Sequence, residues 1–273
     1  MLSPFALAQS RKLSTAMALV AALGLGACQS RNATLNEDPL ATGSLSQAKA
    51  VSPAESIGSF KRTQELAQQW AANQGNVPIG LEYATSLQQM GQTDQQIEVL
   101  KSIAVAHPSD GPLQAKLGKQ LLAAGRSGEA ITMLERAAAQ PGADWKTLSA
   151  LGSAYDQQGN YSQARAKYQA ALVLKPGELT VQNNMAMSFA LEGKLPDAEK
   201  LLRAASAQPG ADAQPRIRQN LALVVGLQGR FDEARKIASA DLPPEQVEAN
   251  LNYLQQMLAQ PNTWAQLSQQ NKG

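Results

Sequence analysis

The chain has 273 residues, of which 44% are hydrophobic and only 4% aromatic, with 24 Lys and Arg against 22 Asp and Glu. Its single Cys, Cys28, and single His, His107, exclude a Cys/His zinc cluster and make a Cys–His or Ser–His–Asp catalytic set hard to assemble; His107, next to Pro108, reads as a solvated loop residue. No run of Lys or Arg supplies the basic excess that a nucleic-acid interface needs.

Residues 1–27 read as a targeting segment. Arg11 and Lys12 give a positive start, and residues 13–25 give an apolar run too short for a membrane span. The next tetrapeptide, Leu25-Gly26-Ala27-Cys28, resembles the lipobox of bacterial lipoproteins. That resemblance implies cleavage before Cys28, a diacylglyceryl group on its thiol and an acyl chain on the new amine. Gln29, rather than Asp, then implies export to the outer membrane, the periplasmic face of a Gram-negative cell envelope. The alternatives are an ordinary signal peptide with an incidental Cys, or a retained anchor. Cleavage removes Arg11 and Lys12 and no acid, which takes the formal charge of +2 to zero. Residues 28–57 turn to Ser, Ala, Asn, Thr and Pro with few large apolar side chains, a flexible tether spanning about 30 Å.

Helical periodicity begins in residues 58–76, where Phe60, Leu66, Ala67 and Trp70 share one face. This segment reads as a half repeat that caps the N-terminal end, with Trp70 in the core or, alternatively, at a ligand site. Residues 145–178 then form one complete helix–turn–helix unit. Leu148, Leu151, Gly152 and Tyr155 share one face, Gly159-Asn160 breaks the helix, and Tyr161, Ala164, Tyr168 and Ala171 lie on the second before Pro176. Two helices of this length cannot cover each other's apolar faces alone and must stack on copies.

At an offset of 34 residues the copies appear: Gly118, Gly125, Ala130 and Ala137 before the unit, then Ala84, Gly91, Leu100, Ile103 and Pro108. Ala186, Phe189, Gly193, Ala198, Leu202 and Ala205 follow it, and a fifth copy, shifted by two residues, carries Leu221, Ala222, Gly229, Phe231 and Ala234. The boundaries are 77–110, 111–144, 145–178, 179–214 and 215–242. Small residues are required where one helix crosses the next closely, and the turn glycines supply a left-handed conformation. Five in-phase copies weigh against the alternative of an unrelated bundle with Ala-rich faces. After Asp241-Leu242-Pro243-Pro244, residues 243–259 carry a stripe of Val247, Leu251, Leu254 and Leu258. This helix caps the array or, alternatively, binds a partner; residues 260–273, with Pro261 and Trp264, are a tail that is poorly ordered or docks by its Trp.

Leu148, Leu151-Gly152, Tyr155, Ala164, Tyr168, Ala171 and Pro176 resemble the full tetratricopeptide repeat (TPR) pattern. The fold class implied is all-α, an α-solenoid of about five repeats over residues 77–242 with a capping helix at each end. Such arrays are scaffolds, so the fold alone names no function. The resemblance places the second, fifth, ninth, twelfth and thirteenth positions of each repeat on the inner groove. No repeat carries the Lys and Asn pair with which chaperone-binding members clamp a peptide carboxylate. The candidate groove residues are Lys119, Lys146 and Ser153, then Asn183, Asn184, Met187 and Leu191, then Gln219, Asn220 and Leu223. Amide side chains can hold an extended peptide's backbone while apolar residues take its side chains; alternatively they pack between repeats.

The last third has a more particular resemblance. Gln208-Pro209-Gly210-Ala211-Asp212, Arg218-Gln219-Asn220-Leu221-Ala222-Leu223-Val224, Gly226-Leu227-Gln228-Gly229-Arg230-Phe231, Ala240-Asp241-Leu242-Pro243-Pro244 and Asn252-Tyr253-Leu254-Gln255-Gln256-Met257-Leu258 are similar to the TadD-type lipoproteins of the tight-adherence (Flp) pilus machinery. This implies a role in assembling the pilus export apparatus by helping the outer-membrane secretin localise or oligomerise. The partners implied are proteins and, through Cys28, the membrane, with no cofactor, metal, small-molecule substrate or nucleic acid. The alternative is an envelope adaptor that recruits peptidoglycan-modifying enzymes. An enzyme built on Asp156, Glu192 or Asp232 would need a fixed carboxylate separation and a raised pKa, and these residues read as solvated turn or groove positions.

Overall fold

A computed structural model describes residues 53–259, which contain α-helices, one short 3₁₀ turn and no strand. The helices are α1 (Pro53–Ala72), α2 (Val77–Gln89), α3 (Thr93–Ala106), α4 (Gly111–Ala123), α5 (Ser127–Ala138) and α6 (Trp145–Gln157). They continue as α7 (Tyr161–Leu174), α8 (Leu179–Leu191), α9 (Leu195–Ser206), α10 (Pro215–Leu227), α11 (Phe231–Ala238) and α12 (Pro244–Ala259). Each packs on the helix before and after it, and α4, α6, α8 and α10 also touch in series as an inner layer. The result is an α-solenoid of five helix pairs, α2/α3 to α10/α11, closed by α1 and α12. Cys28, the targeting segment, most of the tether and the tail lie outside the described residues.

The two helices of a pair start by different chemistry. Four first helices are capped by an acidic or amide side chain at the 34-residue offset: Asn76, Asp110 and Asp144 accept from the backbone N–H three residues on, and Glu178 from that of Thr180. Second helices lack such a cap and begin beside a glycine in the left-handed region, with φ running from +70° at Gly91 to +85° at Gly193. In the first four pairs the first helix is thus started by a side chain and the second by a backbone turn, whereas Gln214 before the fifth pair makes no such cap.

Close packing depends on the position of Gly152. A Cβ there would sit 2.6 Å from the Tyr168 ring, and the equivalent atom at Gly118 would sit 2.6 Å from Leu134. Tyr168 is 1% exposed and Leu134 fully buried, so the first helix must offer bare backbone for the second to approach. Another device operates where Pro108, which has no N–H, follows α3. The Ala104 carbonyl has no helical donor, and the buried Gln114 Nε2 of α4 donates to it at 3.1 Å.

The structure alters several details of the sequence reading. Helix α1 begins at Pro53, inside the segment expected to be tether, because proline is compatible with a first helical position. It buries Thr63, Leu66 and Trp70, whereas Phe60 is 58% exposed. Trp70 packs near Gly80 and Thr63 bonds Ser86, so α1 runs antiparallel to α2; Phe60 lies about 90° round the helix from the stripe of Thr63, Leu66 and Trp70 that α2 covers, while its neighbour Ser59, on the stripe, is half-buried. At the other end, α12 buries Val247, Leu251, Leu254 and Met257, and Leu258 is only half-buried.

The two-residue shift of the fifth pair also has a local cause. In residues 139–144 the sequence AQPGAD ends with Asp144 capping α6. In residues 207–212 the same letters enter a 3₁₀ turn, Ala211–Ala213, and the helix starts only at Pro215. Asp212 instead points at Arg218, at 3.1 Å, and Arg218 also holds Asp241.

Alanine at Gly152 must displace the Tyr168 ring, while alanine at Gly159 meets open space and suffers only its positive φ. We expect Gly152→Ala to cost about 3 kcal/mol and Gly159→Ala about 1 kcal/mol, read from urea unfolding followed by circular dichroism. Equal stability of the two variants would overturn the close-approach account.

Candidate protein-binding groove

The inner-layer helices carry all the candidate groove residues, but the structure sorts them into separate groups. Lys119 on α4 and Lys146 on α6 flank Asp144 at the start of α6. Burial opposes ionisation of Asp144, yet its hydrogen bonds from Thr147 and the fields of Lys119 and Lys146 hold its pKa below the ordinary value. Trp145 lies beside them, with Lys175 Nζ 4.6 Å and Lys146 Nζ 5.6 Å from its ring centroid. This part of the surface is cationic with an aromatic face.

A second group lies on α8 and α10. Asn183 is buried, and its Oδ1 accepts from Asn220 Nδ2 at 2.8 Å, so this pair joins two first helices directly. Asn184, Met187 and Leu191 on α8, with Gln219 and Leu223 on α10, remain half-buried around it. The result is a mixed amide and apolar strip with a rigid amide pair in its floor. Such a strip can hydrogen-bond an extended backbone and seat aliphatic side chains.

Between the two groups is a polar cluster that the sequence reading did not assemble. Asp156 on α6 accepts from Tyr168 Oη at 2.8 Å and from Ser188 Oγ at 2.6 Å, and Ser153 Oγ lies 3.1 Å from Tyr168 Oη. Tyr168 is buried on α7 and Ser188 on α8, so Asp156 reaches across a repeat junction instead of facing solvent. Burial pushes its pKa up to about 6 against the opposing effect of both hydroxyl bonds and of Arg165. The buried Tyr168 is in turn raised well above the usual tyrosine value by desolvation and by the Asp156 charge. The alternation of Ser, Tyr and Asp along two repeats was visible, but the contact from Asp156 to Ser188, 32 residues apart, exists only after stacking.

The other two carboxylates do not join Asp156 as a chemical pair. Glu192 lies 2.7 Å from Arg165 and 3.2 Å from Lys194, while Asp232 is exposed and pairs with Arg235 at 2.7 Å. Of the solvated positions expected for the three acids, only that of Asp232 is fully exposed; Asp156 and Glu192 are drawn in by neighbours from adjacent helices. Among the described residues no group of three or more His, Cys, Asp or Glu has metal-binding geometry.

Residues 115–179 match the family model described as Tetratricopeptide repeat. Among solved structures, PilW, described as a widely conserved type IV pilus biogenesis factor, is similar with a TM-score of 0.57 and 18% identity, covering 76% of this chain and 93% of PilW. YrrB, described as a TPR protein with an unusual peptide-binding site, gives a TM-score of 0.51 at 13% identity, covering 71% of this chain and 99% of YrrB. MamA gives 0.51 at 21% identity over 64% of this chain and 94% of its own. No curated protein sequence matches the chain. At these identities the likeness concerns the fold, and it agrees with the helix pairs described above: the chain folds as a solenoid of tetratricopeptide repeats.

Proposed function

We propose that this chain is a lipid-anchored periplasmic scaffold that binds protein partners during assembly of the tight-adherence (Flp) pilus apparatus and assists its outer-membrane secretin. The observation that carries the reading is the strip on α8 and α10, where Asn184, Met187, Leu191, Gln219 and Leu223 stay half-buried beside the fixed Asn183–Asn220 pair. The same third of the chain carries the residues that resemble TadD-type lipoproteins. PilW, a pilus biogenesis factor with a similar fold, is a precedent for such a use, and YrrB is a precedent for peptide binding.

The mechanism is recognition at a fixed place. Cys28, outside the described residues, bears the lipid that holds the array at the periplasmic face of the outer membrane. The segment after it sets the reach, and the groove selects a partner segment. A lipid anchor raises the local concentration of the array around membrane-embedded partners, so a modest groove affinity is sufficient for capture. Nothing in this mechanism requires a bond to be made or broken.

Two measurements test it. Labelling with an alkyne fatty acid should mark the native chain and leave Cys28→Ala unmarked and released from the membrane fraction; a variant that stays lipidated and bound would remove the anchor. Co-purification in mild detergent should recover a secretin and other pilus-assembly proteins, and Asn184→Ala combined with Leu223→Ala should reduce that recovery about tenfold or more without loss of helicity. Recovery of peptidoglycan hydrolases alone would replace the pilus role with that of an envelope adaptor.

A further inference from the structure

Where one helix pair stacks on the next, two positions recur at the 34-residue offset. The second helices carry Trp70, Ala104, Ala138 and Leu172 there, and the first helices that follow carry Leu87, Leu121, Tyr155 and Phe189. Three of these four junctions hold an aromatic ring. At the first, Trp70 of α1 packs over Gly80 of α2, so closely that a Cβ on Gly80 would sit 2.6 Å from the ring. At the third, Tyr155 of α6 reaches α5, where its hydroxyl donates to Glu135. At the fourth, the Phe189 ring of α8 has its centroid 4.4 Å from the Arg165 guanidinium of α7.

The second junction pairs Ala104 of α3 with Leu121 of α4 and has no ring. A cavity of about 260 Å³ lies there, between α3 and α5. The buried Ala104, Leu117 and Leu121 form its floor, and the exposed Val105, Thr132 and Arg136 stand at its rim. A dry apolar cavity of about 150 Å³ is enough to take up benzene, so this one has room for an indole or phenol ring. At about 100° per residue, Leu117 and Leu121 lie on the side of α4 opposite Lys119. The cavity therefore opens on the outer side of the array, away from the groove.

We propose that this cavity is a docking site for one aromatic side chain, tryptophan or tyrosine, on a partner protein's segment that carries acidic residues beside it.

The polar groups around the cavity select that chemistry. Gln114 of α4 stands where α2 has Gly80, and it borders the cavity. Its Nε2 donates to the Ala104 carbonyl, while its buried Oε1 has no hydrogen-bond partner. A ring with an N–H or O–H at its edge brings the donor that this oxygen lacks. At the rim, Glu129 is held by Lys101 at 2.8 Å and by Arg126 at 2.6 Å, so its charge is already compensated. Arg136 enters no ion pair among the described residues, which leaves the rim with one spare cation for an acidic neighbour of the ring. A docked ring would give the second junction what Trp70, Tyr155 and Phe189 give the others. Because this surface and the strip on α8 and α10 face opposite ways, one array can hold two partners at once.

The test titrates the full chain, in phosphatidylcholine nanodiscs and with isotope-labelled methionine methyls, with the capped peptide Gly-Asp-Trp-Asp-Gly. Ring-current shifts should fall on Met133 of α5, which also lines the cavity, and spare Met187 of the groove. Alanine in place of the peptide's tryptophan should weaken binding about tenfold or more. Asparagine in place of both its aspartates should weaken it about threefold, and Arg136→Gln should abolish that preference. Leu121→Tyr, which gives the second junction the residue of the third, should fill the cavity and remove the Met133 shifts with circular dichroism unchanged. The docking site is overturned if Met133 does not respond, if the alanine peptide binds equally well, or if Leu121→Tyr folds and still binds. The peptide substitutions and Arg136→Gln decide the matter even where Leu121→Tyr does not fold.

Discussion

The solenoid depends on how closely the second helix of each pair can approach the first. At the centre of the array that distance is set by the absence of one atom: with no Cβ on Gly152, the Tyr168 ring lies against the α6 backbone, fully buried, with its hydroxyl directed at Asp156. Bulk at this position would separate the two axes, move Tyr168 and displace the hydrogen bonds that continue to Ser153 and Ser188. Dispersion contacts in such an interface are individually small and fall off steeply with separation, so a shift of half an ångström is felt along the pair. The same requirement recurs at Gly118 against Leu134 and, in the terminal cap, at Gly226 against Leu254 of α12.

Stacking copies of one unit leaves little room for a site in the enzymatic sense. Each helix face is either used against a neighbour or repeated along the inner layer, and the features that break the repetition become the distinctive ones. Two such breaks stand out. One is the fifth pair, where a 3₁₀ turn precedes the start of α10 at Pro215 and Arg218 bridges Asp212 and Asp241. The other is the polar seam at α8, where an acid takes a place that elsewhere in the inner layer is small, amide-bearing or apolar. Both flank the amide and apolar strip of α8 and α10, so the surface offered to a partner is framed by the two least regular junctions of the array.

The ion pairs of the last repeats act on a lesser scale. Glu199 is bridged by Arg203 and Arg230, and Glu233 by the same two arginines. Several of these side chains remain well exposed, and exposed pairs contribute little individually. They tie α9 to the start of α11. The apolar layer of Ile217, Leu221, Val224 and Val225 beneath them supplies the larger driving force.

Sequence alone was sufficient for the architecture, because the spacing of Gly152, Ala164, Tyr168 and Ala171 and their return at 34 residues reflect requirements local to one helix pair. The helix ends were legible for the same reason: a turn glycine or a breaking proline acts through its own backbone. The lipobox, read by resemblance, and most of the tether, read by composition, lie outside the described residues. What only the tertiary structure decided were the relations between helices that belong to different repeats. Phe60 reads as one face with Leu66 and Trp70, but α2 settles on the stripe of Thr63, Leu66 and Trp70 and leaves Phe60 to one side of it, exposed. AQPGAD caps a helix once and enters a turn once, where Asp212 meets the Arg218 side chain instead of a helix-start backbone N–H. Asp156 is an ordinary polar letter at a groove position until α8 brings Ser188 beside it and removes its water. Periodicity records which face a residue occupies; its electrostatic environment is set by chain segments 30 or more residues away, and that information arises only when the repeats stack.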